Sequence, residues 1–152
     1  MASSRRLAKE LAELTQSPPP GIVSVEANEN NMYQWDVMIA GPADTPYEGG
    51  KFSLLFEFPI DYPFKGPSVH FKNKLYHPNV DDDGAMCISL LKSDAWKPTT
   101  KATTIITSVL QLLQEPHPDD ALVASIAEQY LNDRDQYNKT AREYTSKYAA
   151  SS

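Results

Sequence analysis

The strongest constraint on this chain is a group of short alternating runs in its first half. Tyr33, Trp35, Val37 and Ile39 form one such run and Phe52, Leu54, Phe56 and Phe58 another; Val23 with Val25 precede them, and Val69 with Phe71 follow. Apolar residues at every second position put one face of a strand on a core and the other toward water. The connections are turn-like: Asn28 to Asn31 in the first, then Gly41-Pro42 through Gly49-Gly50 with Thr45-Pro46-Tyr47 inside it. Neither has room for a crossover helix, so the expected sheet is a four-stranded antiparallel meander.

Helical signals flank that meander. Ser3-Ser4 offers a cap, and Leu7, Leu11 and Leu14 recur along a stripe that Arg5, Arg6, Lys9 and Glu10 avoid, which predicts an amphipathic helix over about 4 to 15. Ser17-Pro18-Pro19-Pro20-Gly21 stops it. From Thr103 onward Ile105, Ile106, Val109, Leu110, Leu112 and Leu113 cover most of a helix's girth, so this element should be largely buried until Pro116 and Pro118 end it. A short helix near Val123 to Leu131 and a last one from about Asp133, striped by Tyr137, Ala141, Tyr144 and Tyr148, complete the chain. Residues 59 to 101 are different: rich in Pro, Gly, Asp and His, and with no long element. So long an irregular stretch in a compact domain is usually functional. The fold class is α+β, in the order N-terminal helix, meander, irregular segment, central helix and C-terminal helices.

Composition narrows what such a domain does. The 152 residues suit a single domain, 1–152, and the 41% hydrophobic and 22% charged content is that of a soluble globular protein. A net charge of −6 argues against a general nucleic-acid binder, although Arg5, Arg6 and Lys9 form a local basic patch. No apolar run matches a bilayer and no secretory leader is visible, so no membrane association is expected and a cytoplasmic or nuclear protein is. The lone cysteine, Cys87, excludes an internal disulfide and a Cys-rich zinc site, and none of the three histidines is spaced i, i+4 from another; no metal is expected.

Cys87 lies within the irregular segment, after Tyr76-His77-Pro78-Asn79-Val80 and Asp81-Asp82-Asp83-Gly84-Ala85-Met86 and before Trp96-Lys97-Pro98. A lone intracellular cysteine is commonly a small buried hydrophobe, whereas a cysteine on a loop held by a scaffold is a candidate nucleophile. The blocks "YPFKGP" at 62–67, "YHPNV" at 76–80, "GAMCISLL" at 84–91, "WKP" at 96–98 and "PHPDDAL" at 116–122, in this order, resemble the ubiquitin-conjugating enzyme family over nearly the whole chain. The resemblance implies that Cys87 is the nucleophile that carries ubiquitin as a thioester, which keeps the acyl group activated without a further cofactor. ATP would be used upstream, by the activating enzyme. A cysteine–histidine protease is the weaker reading, because no strong base neighbours Cys87 and the Asp81–Asp83 run would disfavour a thiolate.

The same resemblance makes Asn79 an oxyanion donor or a stabiliser of the active-site loop, and His77 a structural support. Asp120 becomes an acidic residue that orients an acceptor lysine, unless it or Asp119 caps the following helix. It marks Phe64, Trp96, Lys97 and Pro98 as ligase-facing, and Arg5, Arg6 and Lys9 as a surface for the activating enzyme and ligases. The implied partners are ubiquitin, its activating enzyme, a ligase of RING or HECT/RBR type and a substrate protein. Three departures stand out. Ser89 lies where many lysine-reactive relatives carry aspartate, so discharge onto lysine is expected but slow. Gly66 replaces the first of a usual proline pair, which should loosen its loop. Asp81 and the acidic balance weigh against SUMO, leaving another ubiquitin-like modifier as the first alternative and an inert module of the same fold as the second.

Overall fold

The computed structural model describes residues 2–86 and 88–150. Its elements run α1 (Ala2–Gln16), β1 (Ile22–Asn28), β2 (Asn31–Ala40), β3 (Lys51–Glu57), β4 (Ser68–Phe71), α2 (Ala102–Gln114), α3 (Ala124–Asn132) and α4 (Arg134–Tyr148). The sheet is antiparallel throughout with strand order β1-β2-β3-β4, the expected meander. Register explains why. Trp35 faces Phe56, Val37 faces Leu54 and Ile39 faces Phe52, while Leu54 and Phe56 in turn face Phe71 and Val69. Every inward residue therefore meets an inward partner across the ladder, the pairing that stabilises sheets. β1 departs from the alternation. A bulge between Ile22 and Ser24 turns Val23 outward, leaving Val25 as the buried valine of that strand.

The inner sheet face and α2 share one core. Ala102, Ile105, Ile106, Val109, Leu112 and Leu113 are buried, whereas Thr104, Thr107, Gln111 and Gln114 remain in solvent, so α2 is amphipathic rather than covered on all sides. Leu7 and Leu14 add α1 to this core, and Ala141 and Ala149 add the C-terminal end of the chain. The end is tied back to the sheet by the Lys51 N–H donating to the Ala149 carbonyl at 2.9 Å. Between β3 and α2, the only regular pieces among the described residues are β4 and a 3₁₀ turn at Ser89–Leu91. That irregular segment is nevertheless buried where it crosses the core, through Leu75, His77, Pro78, Asn79 and Val80. Among the described residues no helix is long and apolar enough to cross a membrane.

Candidate active site

The approach to Cys87 is a small closed turn. Val80 bridges Met86 and His70 bridges Ala85. The Asp81 carboxylate accepts from the N–H groups of Asp83 (2.9 Å) and Ala85 (3.0 Å), and so is directed into its own loop. Asp82 and Asp83 are exposed. Gly84 is required here: its φ is +84°, and a Cβ would lie 2.0 Å from the Phe71 carbonyl oxygen, whose residue donates its N–H to the Gly84 carbonyl at 2.9 Å. Cys87 itself lies outside the described residues. Its chain neighbours are the half-buried Met86 and the buried Ile88.

Behind this turn His77 and Asn79 form a completed polar unit. The Asn79 N–H donates to His77 Nδ1 at 3.0 Å, so that nitrogen carries no proton, and Nε2 must be the one that donates to the Leu112 carbonyl at 2.8 Å. Burial pushes the His77 pKa down to about 4, and the ring is 0% exposed. The imidazole is thus a neutral brace between the turn and the end of α2. Asn79 is oriented by the His117 N–H, which donates to its Oδ1 at 2.9 Å. Both protons of Nδ2 are then spent on carbonyls, that of His117 at 2.9 Å and that of Asp120 at 3.2 Å. The Pro78 carbonyl completes the seam by accepting from the N–H groups of Leu122 and Val123.

Residues 117–123 are therefore held against the His77–Asn79 turn. Pro118–Asp120 is a 3₁₀ turn, and the N-cap of α3 is Val123, with no side-chain bond, so neither Asp119 nor Asp120 caps that helix. Asp120 is exposed beside the buried Asn79. A cleft of about 220 Å³ runs alongside, with Ile88, Ser89 and Leu90 on one wall and Ser108, Leu112 and His117 on the other. Ser89 is exposed, so the position expected to be acidic in lysine-reactive relatives faces solvent.

The residues expected to meet partners divide into two groups. Phe64 is 75% exposed, and Lys97, Pro98, Arg5 and Lys9 are exposed as well. Trp96 is half-buried: its Nε1 donates to the Pro63 carbonyl at 2.8 Å, and its indole covers Gly66, where a Cβ would lie 2.9 Å from the ring. The missing Cβ at Gly66 therefore leaves room for the indole, which packs on this loop. Arg6 turns inward. Its Nε donates to Glu10 at 2.7 Å, a second nitrogen donates to the Thr100 carbonyl at 3.0 Å, and the guanidinium lies over the Tyr62 ring.

Glu10 is the residue that the helical stripe misplaced. It is 4% exposed, not on the solvent face, and accepts from Tyr62 Oη (2.5 Å), Arg6 and the Ala102 N–H (2.7 Å). It thereby joins α1, the Phe64 loop and the first turn of α2. The spacing Leu7, Glu10, Leu14 carries the signal, since residues three and four apart share a helix face. The helical stripe places Tyr137 inward, but nothing in the linear pattern pairs it with Tyr47, whose hydroxyl it meets at 2.6 Å behind Tyr76.

A model of the ubiquitin-conjugating enzyme family matches residues 6–145. The chain is 46% identical over 150 residues to ubiquitin-conjugating enzyme E2 14 of Schizosaccharomyces pombe, covering 99% of this chain and 96% of that one. It is 42% identical over 147 residues to the probable ubiquitin-conjugating enzyme E2 31 of Arabidopsis thaliana, covering 97% and 94%. With the helix–meander–helices fold and the His77–Asn79 turn, the chain belongs to the ubiquitin-conjugating enzyme family.

Proposed function

We propose that this protein accepts ubiquitin on Cys87 as a thioester and passes it to a lysine amine or to the cysteine of a ligase. In the first step the Cys87 thiolate attacks the ubiquitin acyl carbon held by the activating enzyme, whose own thiolate leaves. In the second an amine attacks the same carbon, the C–N bond forms as the C–S bond breaks, the amine loses a proton and the Cys87 sulfur is released. No cofactor is needed, because the energy of ATP is already stored in the incoming thioester.

The observation that carries this reading is the seam between Asn79 and residues 117–120. It ties the exposed Asp120 to the buried turn whose chain leads into Met86 and Ile88. Because both Nδ2 protons of Asn79 are engaged, its first role is to hold the Asp120 turn; donation to an oxyanion requires releasing one carbonyl. Asp120 orients the incoming ammonium and takes part in its deprotonation. His77 braces the turn and carries no proton traffic. Phe64 is the apolar anchor for a ligase of RING or HECT/RBR type, with Trp96, Lys97 and Pro98 beside it, and the exposed Arg5 and Lys9 face the activating enzyme and ligases. Arg6 shapes that surface from beneath. The setting is the cytoplasm or nucleus.

Incubation with the activating enzyme, ATP and ubiquitin should give an adduct that is cleaved by thiols and absent in Cys87→Ala. The loaded protein is then chased with free lysine and with free cysteine. No ubiquitin adduct, or an adduct only with a different ubiquitin-like modifier, refutes the reading; discharge onto cysteine with none onto lysine removes the role given to Asp120.

A further inference from the structure

The polar unit around Asn79 has a second support, from the connection between β2 and β3 and from α4. Tyr47 Oη donates to the carbonyl of Tyr76 at 2.6 Å, one peptide before the His77–Asn79 turn. The hydroxyl of Tyr137, on α4, lies 2.6 Å from the same oxygen of Tyr47. A phenol has one proton, and that of Tyr47 is committed to the carbonyl, so Tyr137 is the donor of the pair. Both rings are 1% exposed, which leaves neither hydroxyl a water to fall back on.

The chain of contacts has little slack. Thr45 Oγ1 accepts the Tyr47 N–H and donates to the Pro42 carbonyl at 2.7 Å, and a Cβ on Gly41 would sit 1.8 Å from the Tyr47 carbonyl oxygen. Tyr137 is wedged against the rings of Tyr130 and Tyr76. Tyr76 is gripped at both ends, since its own hydroxyl donates to Gln129 of α3 at 2.6 Å. The Tyr47 ring also flanks that of His77, with centroids 5.8 Å apart.

We propose that Tyr47 and Tyr137 are positioning residues for acyl transfer, setting the place of Asn79 and the Asp120 turn through the Tyr76 carbonyl. The inference rests on the function proposed above. Tyr47→Phe removes the hydrogen bond to Tyr76 and also the acceptor of Tyr137; Tyr137→Phe leaves the bond to Tyr76 in place. Burial pushes the Tyr137 pKa up to about 12 and that of Tyr47 well above the phenol range, so both stay protonated where a free amine acceptor is assayed.

The test is single-turnover discharge of the loaded protein over a range of lysine concentrations. Tyr47→Phe should lower the limiting rate about 10-fold and Tyr137→Phe about 3-fold, while the half-saturating lysine concentration moves less than about twofold. In an Asn79→Ala background Tyr47→Phe should add nothing, because the residue it acts through is gone. A wild-type limiting rate in Tyr47→Phe, or the same fall in the Asn79→Ala background, overturns the proposal. Amide hydrogen exchange gives a readout that needs no activity. In Tyr47→Phe the Asn79 N–H should exchange about 10-fold faster with Ile106 and Val109 unchanged; uniform acceleration shows general destabilisation and also overturns it. Failure of Cys87 to load sinks the proposed function instead, and exchange still decides the tyrosines.

Discussion

Acidification should unlock the His77 brace, and the structure sets how much stability is at stake. In the folded protein the ring is held neutral, with a pKa of about 4 against 6.5 for a free histidine, and burial is the main cause. At about 1.36 kcal/mol per pH unit, that gap corresponds to roughly 3 kcal/mol. The sign follows from proton counting. Between pH 6.5 and 4 the unfolded chain binds a proton that the folded one refuses, so the contribution of His77 is complete above 6.5, declines through this window and is gone below about 4. Local geometry adds to the cost: a proton on Nδ1 would face the Asn79 N–H at 3.0 Å, turning an acceptor into a second donor. The assay is urea unfolding from pH 7.5 to 4, comparing wild type with His77→Gln, which cannot titrate. Wild type should lose about 3 kcal/mol more than the variant across the window, and its imidazole resonances should keep the Nε2–H tautomer below pH 5. Parallel pH profiles for the two proteins, or a folded-state titration near 6.5, would show that the fold does not hold His77 neutral.

Asn79→Ala orphans the His117 N–H and two carbonyls and should cost about 2–4 kcal/mol in chemical unfolding. Asn79→Asp, which sets a carboxylate oxygen against those carbonyls, should be no better at pH 7. Gly66→Ala drives a Cβ into the indole of Trp96 and should cost about 1–3 kcal/mol; because Trp35 is buried, any red shift in emission reports Trp96, and ligase affinity should fall with it. Gly84→Ala combines a positive φ with a clash at the Phe71 carbonyl; loss of thermal stability and of ubiquitin loading is expected, and wild-type loading would contradict the close packing before Cys87.

Which parts of this protein are legible in its sequence follows from range. Alternation in β2 and β3 and the apolar stripe of α2 are local consequences of backbone geometry, so the residues themselves announce the meander and the helix that packs with it. The prolines after α1 and α2 likewise mark their own stops. The order of the Tyr76–Asn79, Cys87 and Asp120 blocks identifies the family, because those blocks are written in the chain. Tertiary structure decided what local rules do not contain. Val23 leaves the core because of a bulge that only the pairing with β2 reveals. Glu10 is buried because its donors come from residues 6, 62 and 102, and Arg6 follows it inward. Asn79 reaches His117 and Asp120, Trp96 settles on Gly66, and Tyr47 and Tyr137 meet behind Tyr76 across 90 residues of chain. Periodicity tells which way a side chain faces, but a buried polar atom is satisfied only by the partner that folding brings to it.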